Sequence, residues 1–115
     1  MSEVIKEENL QQLRELSGGT DDLLIELVEK FITNSKQYLA NAEEGYKNSD
    51  WDKIRFAVHT MKGSALSLGL TPLGEFMTEL NKQAKENKFD NFESAFAEIH
   101  EMIAAIEKYY ETIKK

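Results

Sequence analysis

Apolar residues recur at intervals of three and four along most of the chain, and this spacing restricts the fold more than any other feature of the sequence. Such spacing places side chains on one face of an α-helix, whereas a half-buried β-strand requires alternation at every second residue. We find no segment that alternates in that way. The sequence therefore predicts an all-α protein in which each helix buries one apolar stripe.

Glycine, proline and capping residues divide the periodic pattern into one short and four longer helices. Glycine ends helices because it adopts a left-handed backbone without strain, and serine, threonine or aspartate begins them by accepting free backbone N–H groups. Pro72 suits the first position of the fourth helix, and Asp90 with Glu93 resembles a capping box that opens the fifth. The markers, in chain order, are Gly18-Gly19, Thr20-Asp21-Asp22, Ser49-Asp50, Gly69, Thr71-Pro72 and Asp90.

The connections between these helices are short, which makes neighbouring helices antiparallel. The pattern thus predicts one domain over residues 1–115, an antiparallel up-and-down four-helix bundle with an additional short N-terminal helix. Many unrelated activities occur on such bundles, so the fold alone assigns no function.

Charge and composition narrow the function classes. The chain carries 21 acidic and 14 basic residues, a net charge of −7, so no basic excess exists to bind nucleic acid or an anionic membrane. No apolar run approaches the ~20 residues of a membrane span, and the acidic N-terminus does not resemble a signal peptide. The absence of cysteine excludes disulfides and cysteine-ligated zinc. We expect a cytoplasmic protein, for which a monomer suffices.

Most catalytic motifs are absent from the sequence. A ferritin-like metal site needs glutamate three residues before histidine, and neither His59 nor His100 has one, so we expect no metal ligands. The order Lys62-Gly63-Ser64 differs from the Gly-Lys-Ser/Thr order of a phosphate-binding loop. His100 is expected to be an ordinary solvated residue beside the apolar stripe of the last helix.

His59 stands out because of its neighbours. It lies roughly 140° around the third helix from the apolar stripe, so its ring is expected to face solvent. Lys62 and Gly63 follow three and four residues later and share its face. A glycine inside a helix costs about 1 kcal/mol relative to alanine, but it leaves bare surface beside the imidazole. A neutral imidazole nitrogen is a nucleophile, and the lysine charge attracts a phosphoryl group.

Arg55, Phe56 and Leu66 lie on the same outward side of the third helix. One interpretation is a docking patch around the histidine. The other is that the two apolar side chains contact the N-terminal helix or are ordinary isolated exposed residues.

The segment Val58-His59-Thr60-Met61-Lys62-Gly63-Ser64-Ala65-Leu66-Ser67-Leu68-Gly69 resembles the signature of the histidine-containing phosphotransfer (HPt) domain. That signature is His-x-x-Lys-Gly, followed by small residues and an apolar-Gly pair. Ser49-Asp50-Trp51-Asp52 resembles the family's lead into the histidine helix, and residues 70–80 resemble the next helix. The resemblance, with its five-helix order, covers nearly the whole chain.

The resemblance implies a phosphorelay intermediate in two-component signalling. A receiver domain of a response regulator, or a hybrid histidine kinase, would dock on the chain, and Nε2 of His59 would accept phosphorus from an aspartyl phosphate and donate it to a second aspartate. Lys62 would steady the phosphoryl oxygens and Gly63 would keep the approach open. Magnesium would belong to the receiver, so the chain would have no cofactor of its own and would be a carrier, not an enzyme.

The resemblance also implies supporting roles on the following helix. An amide or acid there often hydrogen-bonds the second ring nitrogen of the histidine. The matching residue is Asn81, where Gln or Glu is commoner, and a plain solvated asparagine is the alternative. Lys85 aligns with a basic position of some members.

Two other interpretations stay open at this point. The chain is either free-standing or part of a larger kinase, because the N-terminal phosphorylation domain of chemotaxis histidine kinases shares the motif. The alternative from a different functional class is a helical adaptor in which His59 is inert. An adaptor, however, gives no reason for Gly63 to stand beside His59 and Lys62.

Overall fold

Five α-helices, and no β-strand, make up the secondary structure of residues 4–114, which are the residues that the computed structural model describes. The prediction of an all-α chain with one short and four longer helices is confirmed. None of these helices combines the length and the apolar character needed to cross a membrane. The helices are α1 (Glu7–Leu16), α2 (Asp22–Lys47), α3 (Trp51–Leu68), α4 (Thr71–Lys85) and α5 (Phe92–Ile113).

Each of the helices α2 to α5 packs against the next one in the chain, and α5 packs against α2, so that the four helices form a closed ring. The direction of α3 relative to α2 follows from two contacts. Lys53 pairs with Glu44 near the connection, and the rings of Phe56 and Tyr38 meet farther from it, with centroids 6.4 Å apart. Residues later in α3 therefore contact residues earlier in α2, and the two helices run antiparallel.

The apolar stripes identified in the sequence form one core inside this ring. On α3 the stripe of Ile54, Val58, Met61 and Ala65 is fully buried, as its alternating spacing of four and three predicts. Each of the other long helices buries one such face. The largest fully buried side chains elsewhere are Leu24 and Val28 of α2, Leu70, Leu73 and Met77 before and within α4, and Ile99 of α5.

The start of α5 differs from the prediction by one residue. Asn91, not Asp90, is the N-cap, and its side chain accepts the backbone N–H of Ser94 at 2.9 Å. Both residue types cap well, but beginning the helix at Phe92 lets that ring stack on Tyr46 of α2, with centroids 3.8 Å apart. The predicted capping box of Asp90 and Glu93 is therefore wrong.

Pro72 is the second residue of α4, after Thr71, rather than the first. The missing N–H of proline is still without consequence there, because the first four N–H groups of a helix have no partner within it.

Helix α1 packs against α2, with Leu10 and Leu13 partly buried on the core, and its beginning is tied to the end of α3. It buries none of its own residues, but Ile5 just before it is buried. The backbone N–H of Lys6 donates to the carbonyl of Gly69 at 2.8 Å. At the other end, the hydrogen bond from Arg14 to Asp21 raises the pKa of Arg14. The first of these hydrogen bonds places the beginning of α1 beside the α3–α4 connection, and the second ties its end to the residue that precedes α2.

Gly69 makes this junction possible in two ways. Its φ of +85° is the left-handed conformation that ends α3, and an added Cβ would collide with the side chain of Asn9 in α1. We expect Gly69→Ala to lower the free energy of unfolding by at least about 1 kcal/mol, through backbone strain and displacement of α1. Urea denaturation measures this change.

Gly63→Ala is the matched control, because its added Cβ meets nothing within 4 Å. Alanine in mid-helix favours helix over glycine by about 1 kcal/mol, so this variant is expected to be slightly more stable than the wild type. Equal losses in the two variants would contradict the argument from Gly69.

Candidate functional site

The outward face of α3 carries a continuous row of exposed residues opposite its buried stripe. Phe56, His59, Gly63 and Leu66 follow one another at intervals of three, four and three, and all four are exposed. The burial of Met61 and the exposure of His59 confirm the predicted rotation of the helix. His59 thus stands in the middle of this row, which we call the His59 face.

The surface beside His59 is open. Apart from its chain neighbours and the backbone of its own helix, no heavy atom lies within 4 Å of the position that a Cβ of Gly63 would occupy, so the predicted bare surface one turn after the histidine is present. Lys62 is partly buried and makes no ion pair with any residue from 4 to 114. In the same part of the chain, no side chain hydrogen-bonds the imidazole of His59. A cation and a nucleophile therefore share a face with room for another molecule.

Two contacts between α3 and α4 show which residues of α4 lie beside His59. A Cβ on Gly74 would lie 2.5 Å from Cδ2 of Leu66, so the leucine packs directly on this glycine. At the other end, the guanidinium of Arg55 donates to the side chain of Asn87. The helices run antiparallel, and interpolation between these contacts brings residues 81–83 level with His59.

Asn81 lies at the level of His59 but is buried, with 4% of its surface exposed. It makes no hydrogen bond to His59 within the described residues, so the structure contains neither the expected contact with the ring nitrogen nor a solvated asparagine. Lys85, by contrast, is exposed in the last turn of α4, and Lys82 is exposed one turn before it. The basic character of α4 is therefore concentrated at the end that lies beside His59.

Arg55 is engaged within the chain. Its guanidinium donates to Asp52 one turn earlier in α3 and to Asn87, which follows the last turn of α4. A cation beside a helix C-terminus is favourable because of the carbonyl groups exposed there. Arg55 thus joins α3 to the end of α4.

The two apolar residues of the predicted docking patch are exposed on either side of His59. Phe56 is 68% exposed and touches Tyr38 of α2 rather than α1, and Leu66 is 47% exposed above Gly74. Few large apolar side chains are this accessible in the described part of the chain. Tyr38 and Gly74 support the patch, and neither was predicted from the sequence to do so.

The His59 face lies in a stretch of sequence without carboxylates. From Lys53 to Gly74 no aspartate or glutamate occurs, although the chain contains 21 of them. The same stretch contains Lys53, Arg55 and Lys62, so it is locally basic within an acidic protein. This charge pattern is visible in the sequence and could have marked the site independently of any motif.

Within residues 4–114, no three side chains of histidine, aspartate or glutamate are grouped so as to hold a metal ion. His100 lies apart from the His59 face, on the side where α2 meets α5. It is exposed, as expected, and its Nε2 lies 3.3 Å from a carboxylate oxygen of Glu43.

Comparison with known proteins decides the family. The family model described as "Hpt domain" matches residues 26–109, most of the chain. The chain belongs to the Hpt family. It therefore acts in phosphorelay phosphotransfer, as a phosphocarrier rather than a classical enzyme, in a family whose members interact with response-regulator receiver domains and histidine kinases. The predicted family and its general role are confirmed.

A solved structure shows the same fold as this Hpt chain. The crystal structure of histidine-containing phosphotransfer protein B (HptB) from Pseudomonas aeruginosa PAO1 superimposes with a TM-score of 0.84 at 17% sequence identity, covering 97% of this chain and 95% of that one. Among curated proteins, none matches the sequence significantly.

The contact between Leu66 and Gly74 generates a prediction for this Hpt domain. Alanine at position 74 favours helix by up to about 1 kcal/mol, but its Cβ displaces Leu66, so we expect no net stabilisation from Gly74→Ala alone. In a Leu66→Ala background the collision is absent, and the same substitution is expected to stabilise the domain. A double-mutant cycle by urea denaturation measures the coupling, expected to be on the order of 1 kcal/mol. Additive effects would contradict the packing of Leu66 on Gly74.

Proposed function

We propose that His59 is the phosphorylated residue of this Hpt domain, receiving a phosphoryl group from a receiver aspartyl phosphate and passing it to the aspartate of another receiver. The observation that carries the proposal is the exposure of the imidazole beside the empty surface at Gly63 and the unpaired Lys62 within the described chain. His100 has no such surroundings, because it lies between two acidic helices beside Glu43.

The transfer requires one bond to form and one to break. The lone pair of the His59 Nε2 attacks phosphorus in line as the bond from phosphorus to the aspartyl oxygen breaks, and the aspartate leaves as a carboxylate. The second transfer is the reverse reaction with another aspartate. The ammonium of Lys62 offsets the charge on the phosphoryl oxygens, and one such pair at ~4 Å in a medium of dielectric ~20 attracts by about 4 kcal/mol before desolvation is subtracted.

The exposed side chains around His59 support a docking role for this face. Phe56 and Leu66 offer apolar surface on either side of the imidazole, and Gly63 allows another backbone to come close. We assign Arg55 a part in this surface through the position it gives the end of α4, and Lys85 a part as an exposed cation on the same side. Asn81 supports the site by packing at the level of His59.

The magnesium ion of the reaction is proposed to reside on the receiver. Mg²⁺ prefers carboxylate ligands, and the stretch from Lys53 to Gly74 contains none. The chain would thus contribute the nucleophile, the lysine charge and the docking surface. When bound to the receiver, the metal would supply charge stabilisation for the phosphoryl oxygens.

We also infer the remaining architectural and cellular properties. The closed ring of contacts supports an antiparallel up-and-down four-helix bundle with α1 across one end, forming a single domain. One reactive histidine in each copy is sufficient for transfer, which supports a monomer. The acidic charge and the family role support a cytoplasmic protein without nucleic acid or membrane partners.

Replacing each histidine in turn tests the proposal. We expect His59→Gln to accept no phosphoryl group from a phosphorylated receiver, and the matched variant His100→Gln to accept it like the wild type. Both residues are exposed, so stability is expected to stay within about 0.5 kcal/mol. Radiolabel that is acid-labile and alkali-stable on the wild-type chain identifies phosphohistidine. Label retained by His59→Gln would contradict the assignment, and a receiver that binds without any transfer would favour an adaptor.

Gly63→Gln separates access from nucleophilicity. The long side chain is expected to reduce transfer from a phosphorylated receiver by roughly 100-fold or more, because it fills the surface through which a protein must approach. Phosphorylation by a small donor such as phosphoramidate is expected to continue near the wild-type rate, since that molecule still reaches His59. Normal transfer from the receiver in this variant would contradict the access argument.

A further inference from the structure

Helix α5 meets its two neighbours in different ways. Its seam with α2 is bridged by side chains at three levels: Lys36 pairs with Glu107 at 2.8 Å, His100 lies 3.3 Å from Glu43, and Tyr110 donates to Glu29 at 2.8 Å. Its seam with α4 has no comparable bridge between the two helices among the described residues. One side of α5 is therefore closed and the other is open.

The open seam contains two adjoining grooves of about 290 Å³ each. They share Glu98 and together extend from Asn91 to Ile106 along α5, a distance of about 22 Å. Their floor is apolar, and Phe76 and Met102 are only partly buried there. The other apolar residues that line the grooves are Val4, Leu70, Pro72, Leu73, Leu80, Ala95, Ala105 and Ile106.

The charged residues that line this seam are all acidic. Glu79, Asp90, Glu98 and Glu101 line the grooves, and no lysine or arginine does. None of the four carboxylates forms an ion pair within residues 4–114, whereas carboxylates on other faces of the protein pair with Arg14, Lys36 or Lys53. Glu98 and Glu101 stand one helical turn apart, on the same face of α5.

The two adjoining grooves together form one surface, which we call the α4–α5 groove. We propose that this groove docks an amphipathic helix of a partner protein, with an apolar stripe flanked by lysine or arginine. The length of the groove between the two helices matches a third helix of about 16 residues, whose residues at i, i+3 or i+4, and i+7 would rest on the floor beside Phe76 and Met102. The basic flanks complement the four carboxylates that have no partner in the described chain.

The groove is distinct from the His59 face. Gly74 of α4 contacts Leu66 of α3, whereas Phe76 and Leu80 of α4 line the seam with α5. The two surfaces also differ in charge, since one lies in the stretch without carboxylates and the other is rimmed by them. A partner in the groove therefore leaves His59 open to a receiver, and the proposal does not depend on the assignment of His59.

A pair of designed peptides tests the groove on the full chain. The first is a 16-residue helix, about four turns, with leucine at i, i+3, i+7 and i+10 and lysine on both flanks; the second carries glutamate in place of lysine. In ¹⁵N-resolved NMR titrations, we expect the lysine peptide to shift the amides around Phe76, Ala95, Glu98 and Met102, and to leave those from Phe56 to Leu66 unchanged. The glutamate peptide is expected to bind at least tenfold more weakly.

Charge reversal in the groove supplies the matched control. We expect Glu98→Lys/Glu101→Lys to weaken the lysine peptide at least tenfold, while Glu8→Lys/Glu15→Lys on α1 changes the net charge equally and weakens it less than twofold. Equal effects of the two double variants, or shifts centred on the His59 face, would overturn the proposal. Self-association of the free chain that the groove reversal abolishes, measured by sedimentation, would overturn it in favour of a second copy as the occupant.

Discussion

Burial of the narrow apolar stripe on α3 is the constraint on which the rest of the structure depends. Ile54, Val58, Met61 and Ala65 are all at most 1% exposed, and rotating the helix to expose them would lose several kcal/mol of apolar burial. Because this burial fixes the rotation of α3 about its axis, the opposite face of the helix points to solvent. The exposure of His59 is thus a consequence of packing on the other side of its helix, with no side chain needed to hold the imidazole out.

Glycine at two places in α3 and α4 turns this orientation into a usable surface. Gly63 removes the side chain that would otherwise stand one turn from the imidazole, and Gly74 gives Leu66 a place to lie against α4. Both residues weaken their helices intrinsically, by roughly 1 kcal/mol each relative to alanine. The buried stripe and the neighbouring helices compensate for that loss, so the site is formed at the expense of local helix stability.

Those parts of the molecule that depend on local periodicity could be predicted from the sequence. The five helices and the outward direction of His59 follow from spacings within single helices, and these were predicted. The cap of α5 was not, because Asp90 and Asn91 are equally good caps and the choice depends on the stacking of Phe92 on Tyr46, which is distant in sequence.

The supporting residues of the site depend on the register between helices in the same way. Arg55 reaches Asn87, and Asn81 is buried beside α3, because of how α3 and α4 are aligned lengthwise, which no single helix encodes. The consequence for the chemistry is specific. No side chain of the described residues hydrogen-bonds the imidazole of His59, so no protein contact fixes its tautomer. Which nitrogen meets the phosphoryl group then depends on how a partner approaches over Gly63 and beside Lys62. In the proposed transfer, the docking surface, rather than a tautomer-fixing side chain, determines which nitrogen reacts.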